Sequence, residues 1–87
     1  MKEHFPQTAA WLERNWFELL SAYDTRDRET GQITAIEETW VRKADDTVID
    51  MNLRVGRRIR LSIGREMNTS SDAEAVAWLE REFNSDA

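Results

Sequence analysis

The stretch that most narrows the fold is 47–63. Ile49, Met51, Leu53 and Val55 fall on one side of an extended chain, with Val48, Asp50, Asn52 and Arg54 on the other. After Gly56 the alternation resumes, with Ile59, Leu61 and Ile63 set against Arg58, Arg60 and Ser62. A period of two marks strands with one buried and one wet face. Pairing follows from parity, because directly opposed residues of an antiparallel pair share a face. Setting Val55 opposite Ile59 keeps both apolar sets inside, leaves Gly56-Arg57-Arg58 as the loop and places Arg54 beside Arg60 outside. A less regular alternation over 33–42 supplies a first strand. With a turn at 43–46 the preferred register sets Trp40 against Ile49 and Ile36 against Leu53 and turns Glu38 inward, whereas the alternative turns Glu37 inward.

A sheet with one apolar face needs a cover, and the flanking segments supply it. In 5–23, Phe5, Ala9, Leu12, Trp16, Leu19, Leu20 and Tyr23 recur at helical spacing, with Pro6 suited to a first helical position. This stripe predicts a buried Trp16 and leaves Trp11 and Phe17 off its centre. The run 24–32 contains no apolar residue and reads as a solvated loop. Ser71-Asp72-Ala73-Glu74 has the form of a capping box opening a second helix to about Phe83. Ala75, Val76, Leu79 and Phe83 share a face of that helix, and Trp78 lies at its edge between Glu74 and Glu82. The expected fold is α+β in the order α-β-β-β-α: a three-stranded antiparallel meander with two helices packed on one face. Residues 1–87 form a single small domain, ordered over about 5–83.

Composition removes several classes. The 87 residues contain no Cys, so a disulfide scaffold, a thiolate nucleophile and a zinc knuckle are excluded. The apolar runs are too short for a membrane span, and 1–6 lacks the apolar core of a signal peptide, which points to a cytoplasmic protein. His4 is the sole His and sits near the N-terminus, and the three Gly are scattered rather than gathered in a phosphate loop. No nucleophile has a legible general base, so the expectation is a protein that is not an enzyme and takes no cofactor or metal.

Two charged constellations remain. Glu37, Glu38, Asp45, Asp46 and Asp50 crowd one hairpin of a chain whose net charge is −5, which makes an acidic recognition face. The ligand spacing of a hard-cation loop is absent from them. Arg54, Arg57, Arg58, Arg60 and Arg65 form an opposite patch with no acid between them, a pattern able to grip phosphate or to pair with the chain's own acids. Trp11 and Trp78, both off the centre of their stripes, are candidate apolar anchors at an interface.

The element order resembles the double-stranded RNA-binding domain, also α-β-β-β-α, over about 6–83. That family grips phosphate with a Lys-rich start to its second helix. The matching stretch here, Thr69-Ser70-Ser71-Asp72-Ala73-Glu74, holds two acids and no base, so no functional residue is carried over. A small, acidic, Cys-free chain without catalytic residues is also similar in kind to phage-encoded inhibitors of bacterial defence, anti-CRISPR proteins among them, and to toxin-immunity proteins. The leading expectation is therefore a stoichiometric inhibitor that covers a basic, nucleic-acid-binding groove of a partner protein. Its contacts would be Glu37, Glu38, Asp45, Asp46, Asp50, Trp11 and Trp78. The alternative is a nucleic-acid binder using Arg54, Arg57, Arg58 and Arg60. Homodimerisation is compatible with both.

Overall fold

The computed structural model of the chain describes residues 2–54 and 58–84. Their order is α1 (Pro6–Arg14), β1 (Glu18–Arg26), β2 (Ile33–Arg42), β3 (Thr47–Arg54), β4 (Ile59–Ser62), β5 (Glu66–Thr69) and α2 (Asp72–Asn84). The class is α+β, but the sheet has five antiparallel strands in the order β1-β2-β3-β4-β5. The three-strand meander is thus extended by one strand at each edge, and the element order that resembles the double-stranded RNA-binding domain is lost.

The central pairing is the register that sets Trp40 against Ile49, with Glu38 rather than Glu37 inward. Ile36 opposes Leu53, Glu38 opposes Met51 and Trp40 opposes Ile49. The next pairing keeps the expected faces in a different register. Leu53, not Val55, opposes Ile59, and Arg60 opposes Asn52 rather than Arg54. Arg54 instead donates its backbone N–H to the Arg58 carbonyl at 3.0 Å. A shift of two residues preserves which side chains point inward, so the alternation alone does not distinguish the two registers. Val55, Gly56 and Arg57 lie outside the described residues.

The largest correction concerns 15–26. The helix stops at Asn15 because the chain closes a Schellman motif: Trp16 N–H donates to the Glu13 carbonyl at 3.2 Å and Phe17 N–H to the Leu12 carbonyl at 3.0 Å. The motif needs a left-handed residue, and Trp16 takes that role at φ 69°. Phe17 is thereby thrown back onto Trp11, ring centroids 6.2 Å apart, and both are buried. From Glu18 onward the chain runs as an edge strand against β2. Leu19, Leu20 and Tyr23 therefore join no helical stripe, and Trp16 is exposed rather than buried.

A second turn, with Gly64 at φ 94° and Ile63 N–H bonded to the Arg65 carbonyl at 2.9 Å, returns the chain into β5. Met67 opposes Leu61 and Thr69 opposes Ile59, continuing the inner face to that edge. One core then joins Phe5, Trp11, Leu12 and Phe17 to Ile36, Trp40, Ile49, Met51, Leu53, Ile59 and Leu61, and to Ala75, Trp78 and Leu79 of α2. Trp40 is buried as its stripe requires. Trp11 and Trp78, expected at the margin, belong to this core because α1 and α2 pack on each other as well as on the sheet.

The helices also share a cap. Asp72, the first residue of α2, accepts the backbone N–H groups of Gln7 at 2.7 Å and Thr8 at 2.8 Å, and the buried Thr8 hydroxyl at 2.6 Å. The residue before α1, Phe5, offers no side-chain cap of its own. Only half of the expected capping box forms. Ser71 Oγ accepts the Glu74 N–H at 3.2 Å, while the Glu74 carboxylate takes the Thr69 hydroxyl instead of reaching back. Thr69 Oγ1 in turn accepts the Ser71 N–H at 3.0 Å.

Candidate functional site

Beyond the inner face covered by the helices, the structure offers a free sheet edge, an uncovered outer face and the acidic hairpin. The edge is β1. Among the described residues, the exposed large apolar side chains are Trp16 (81% exposed), Leu19 (48%), Leu20 (66%), Tyr23 (68%) and Val48 (44%), so four of the five lie within eight residues of one another. A register shift between Leu19 and Ser21 leaves Leu20 as an extra residue on β1, a bulge that bends the edge and limits regular pairing to 21–25. Beside the bulge is a cleft of about 560 Å³ walled by Phe17, Leu19 and Trp40, with Lys2, Glu3, Glu13 and Glu18 exposed along it; Lys2 pairs with Glu13 at 2.6 Å and Lys43 with Glu18 at 3.2 Å. Sequence periodicity missed this surface because the spacing of Trp16, Leu19, Leu20 and Tyr23 also satisfies a helix. The Schellman turn carries no glycine to announce it.

The outer face is organised in rows that cross the strands. Tyr23, Glu37, Asn52, Arg60 and Asn68 form one row, each opposed to the next. Ser21, Thr39, Asp50, Ser62 and Glu66 form its neighbour. On the other side Thr25, Ala35 and Arg54 are aligned, with Arg58 bonded to Arg54 through the backbone. A depression of about 510 Å³ lies over this end, lined by Arg54, Arg58, Arg60, Asn52, Asn68 and Glu37. The ion pairs of the described residues involve Lys2, Arg26, Arg42, Lys43 and Arg65, and none engages Arg54, Arg58 or Arg60. The expected arginine patch is therefore gathered as far as these three residues; Arg57 lies outside the described residues.

The acidic hairpin is dispersed by the sheet. Glu38 is 8% exposed, points to the core and accepts the Trp40 indole N–H at 2.9 Å. Glu37 and Asp50 stand on the outer face, where Asp50 accepts the Thr39 hydroxyl at 3.1 Å. Asp45 is held by the Arg42 fork, Nε to Oδ1 at 3.1 Å and Nη2 to Oδ2 at 2.7 Å. That guanidinium, together with bonds from Thr47, holds the Asp45 carboxyl well below the usual carboxylate range. Arg42 also lies over the rings of Phe17 and Phe83, 4.9 Å and 5.3 Å from their centroids, so Asp45 fixes a lid on an aromatic cluster. Asp46 is exposed at the turn with φ 58°. Trp11 and Trp78 are buried in the core, which corrects the expectation that both sit at the margin as interface anchors.

Among the described residues no three His, Cys, Asp or Glu side chains converge as metal ligands would, and no helix is long and apolar enough to cross a membrane. The chain matches no family model, no curated protein and no solved structure, so the geometry alone carries the functional reading.

Proposed function

We propose that this chain is a non-catalytic protein-binding module that adds an extended segment of its partner to β1. The observation that carries the reading is Trp16. A left-handed position costs an ordinary residue roughly 1–2 kcal/mol, a cost that glycine escapes. The indole recovers little of this by burial, since it is 81% exposed. Folding alone therefore favours glycine at this position, and a large aromatic there is explained by contact with another molecule.

The neighbourhood supports the same reading. An edge strand presents unpaired backbone groups, and strand addition uses them for affinity while side-chain pockets give selectivity. The cleft beside β1 is apolar within, its exposed lining carries Glu3, Glu13 and Glu18 against Lys2, and the whole chain carries a net charge of −5. A segment with alternating apolar and basic residues complements both features. Covering such a segment one-to-one is the action of a stoichiometric inhibitor of a partner with a basic, nucleic-acid-handling surface.

Selection from a displayed library of random peptides tests this. Wild-type protein should enrich apolar and Lys- or Arg-containing sequences, and a bound peptide should slow amide exchange of 21–25. Leu20→Lys and Trp16→Gly should abolish the enrichment without lowering the melting point. Enrichment that survives both substitutions, or protection that falls on α2 instead, would overturn the proposal.

A further inference from the structure

We infer that the depression on the outer sheet face is a separate binding site for a short run of single-stranded nucleic acid, held by Arg54, Arg58 and Arg60. This goes beyond strand addition at β1: it shares Tyr23 with that strand, but its phosphate contacts lie on β3 and at the start of β4. The three guanidiniums line one depression, and none has an acid within ion-pairing distance among the described residues. The chain's own acids were the competing partners. Glu37 lines the same depression but makes no ion pair with any of the three, Asp50 is bonded to Thr39, and Glu66 is opposed to Ser62 in the adjacent row. Like charges gathered on one face repel, and a polyanion relieves that repulsion. Arginine is suited to the task because its planar fork grips a phosphate with two parallel bonds.

The neighbouring side chains narrow the ligand. Asn52 and Asn68 flank Arg60 on β3 and β5, and each carboxamide both donates and accepts. Such groups read the edges of bases and add little to a bare phosphate. Tyr23 closes the same row on β1 and is largely exposed, a surface on which an unpaired base can stack. From Tyr23 to Asn68 the row crosses five strands, about 19 Å at the usual inter-strand spacing. That length suits an extended strand of a few nucleotides. A duplex keeps its bases paired and stacked, so it would meet the phosphate contacts and forgo the rest. Glu37 within the row and Asp50 and Glu66 of the next row confine phosphate contact to the arginine end.

Fluorescence anisotropy of labelled single-stranded oligonucleotides of about eight residues tests the site. Saturable binding is expected at about 50 mM salt, and the logarithm of affinity should fall against the logarithm of salt with a slope of about −2, the value for three phosphates on a single strand. Arg60→Ala and Arg58→Ala should each weaken binding and reduce the slope by about 0.7. Tyr23→Ser should cost about tenfold in affinity with the slope unchanged. Leu20→Lys should leave binding intact, which separates this site from the β1 surface. Absence of saturable binding at about 50 mM salt, equal or tighter binding of duplex, equal binding of inorganic tripolyphosphate, or a slope indifferent to both arginine substitutions would each overturn the inference.

Discussion

Trp16 controls both the path of the chain and the reading of its surface. In the sequence it occupies a stripe position four residues before Leu20 and seven before Tyr23, and nothing local marks it as a helix stop. Its φ of 69° ends α1 and converts the apolar residues after it from a helix face into an edge strand. Glycine satisfies the same geometry without the clash between Cβ and carbonyl. Glycine also raises the entropy of the unfolded chain, and this returns part of the gain. Trp16→Gly is therefore expected to stabilise the protein by about 0.5–1 kcal/mol in urea titration. A loss of more than about 1 kcal/mol would show that the indole packs in the fold, and the contact proposed for it would fall. Glu38 gives the opposite lesson. Alternation leaves either Glu37 or Glu38 facing inward, pairing Trp40 with Ile49 selects Glu38, and the structure places it there against the Trp40 indole.

Element by element, legibility tracked how local the cause is. β3, β4 and the hairpin joining β2 to β3 depend on alternation within a few residues, and these were readable. β1 and β5 depend on turns with a left-handed residue, Trp16 in one and Gly64 in the other, and on sheet neighbours distant in sequence. The arginines could be placed on the outer face, but their opposition across β3 and β4 could not, because two registers share one parity. The shared helix cap is wholly non-local. Asp72 was readable as an acid at the start of α2, whereas its bonds to Gln7 and Thr8 join residues more than sixty apart in sequence. A carboxylate at the N-termini of two helices is stabilised by both dipoles, and its removal leaves the buried Thr8 hydroxyl without its closest acceptor. Asp72→Ala is expected to cost about 2–3 kcal/mol, against about 1 kcal/mol for an ordinary exposed cap. Asp72→Asn, which keeps one acceptor, should fall between. A cost below about 0.5 kcal/mol for the alanine variant would mean that the two helices are not joined through this side chain.

At the scale of the whole molecule the sheet outruns its cover. The chain measures 49 × 24 × 21 Å and exposes 6025 Å², against roughly 5,300 Å² expected for a protein of this mass by area scaling. The hairpin of β1 and β2 contributes to that exposure. β1 is exposed at almost every position, and its principal neighbour is β2, whereas α2 packs on α1 and on β5. Asp24 and Ala22 take inner-face positions opposite Ile36 and Glu38, yet both are exposed. Local opening free energy follows buried apolar contact, so stability should fall along the sheet from the β3–β4 centre to this edge. Native-state hydrogen exchange measures that gradient residue by residue. Amides of 22–26 that bond to β2 should exchange through local opening, at free energies well below that of global unfolding and with little dependence on denaturant. Those of Ile49, Met51 and Leu61 should exchange only with global unfolding. If β1 and β3 instead exchange together with one free energy and one denaturant slope, the edge is an integral part of the cooperative unit. The strand proposed to receive a partner would then have no stability to gain from one.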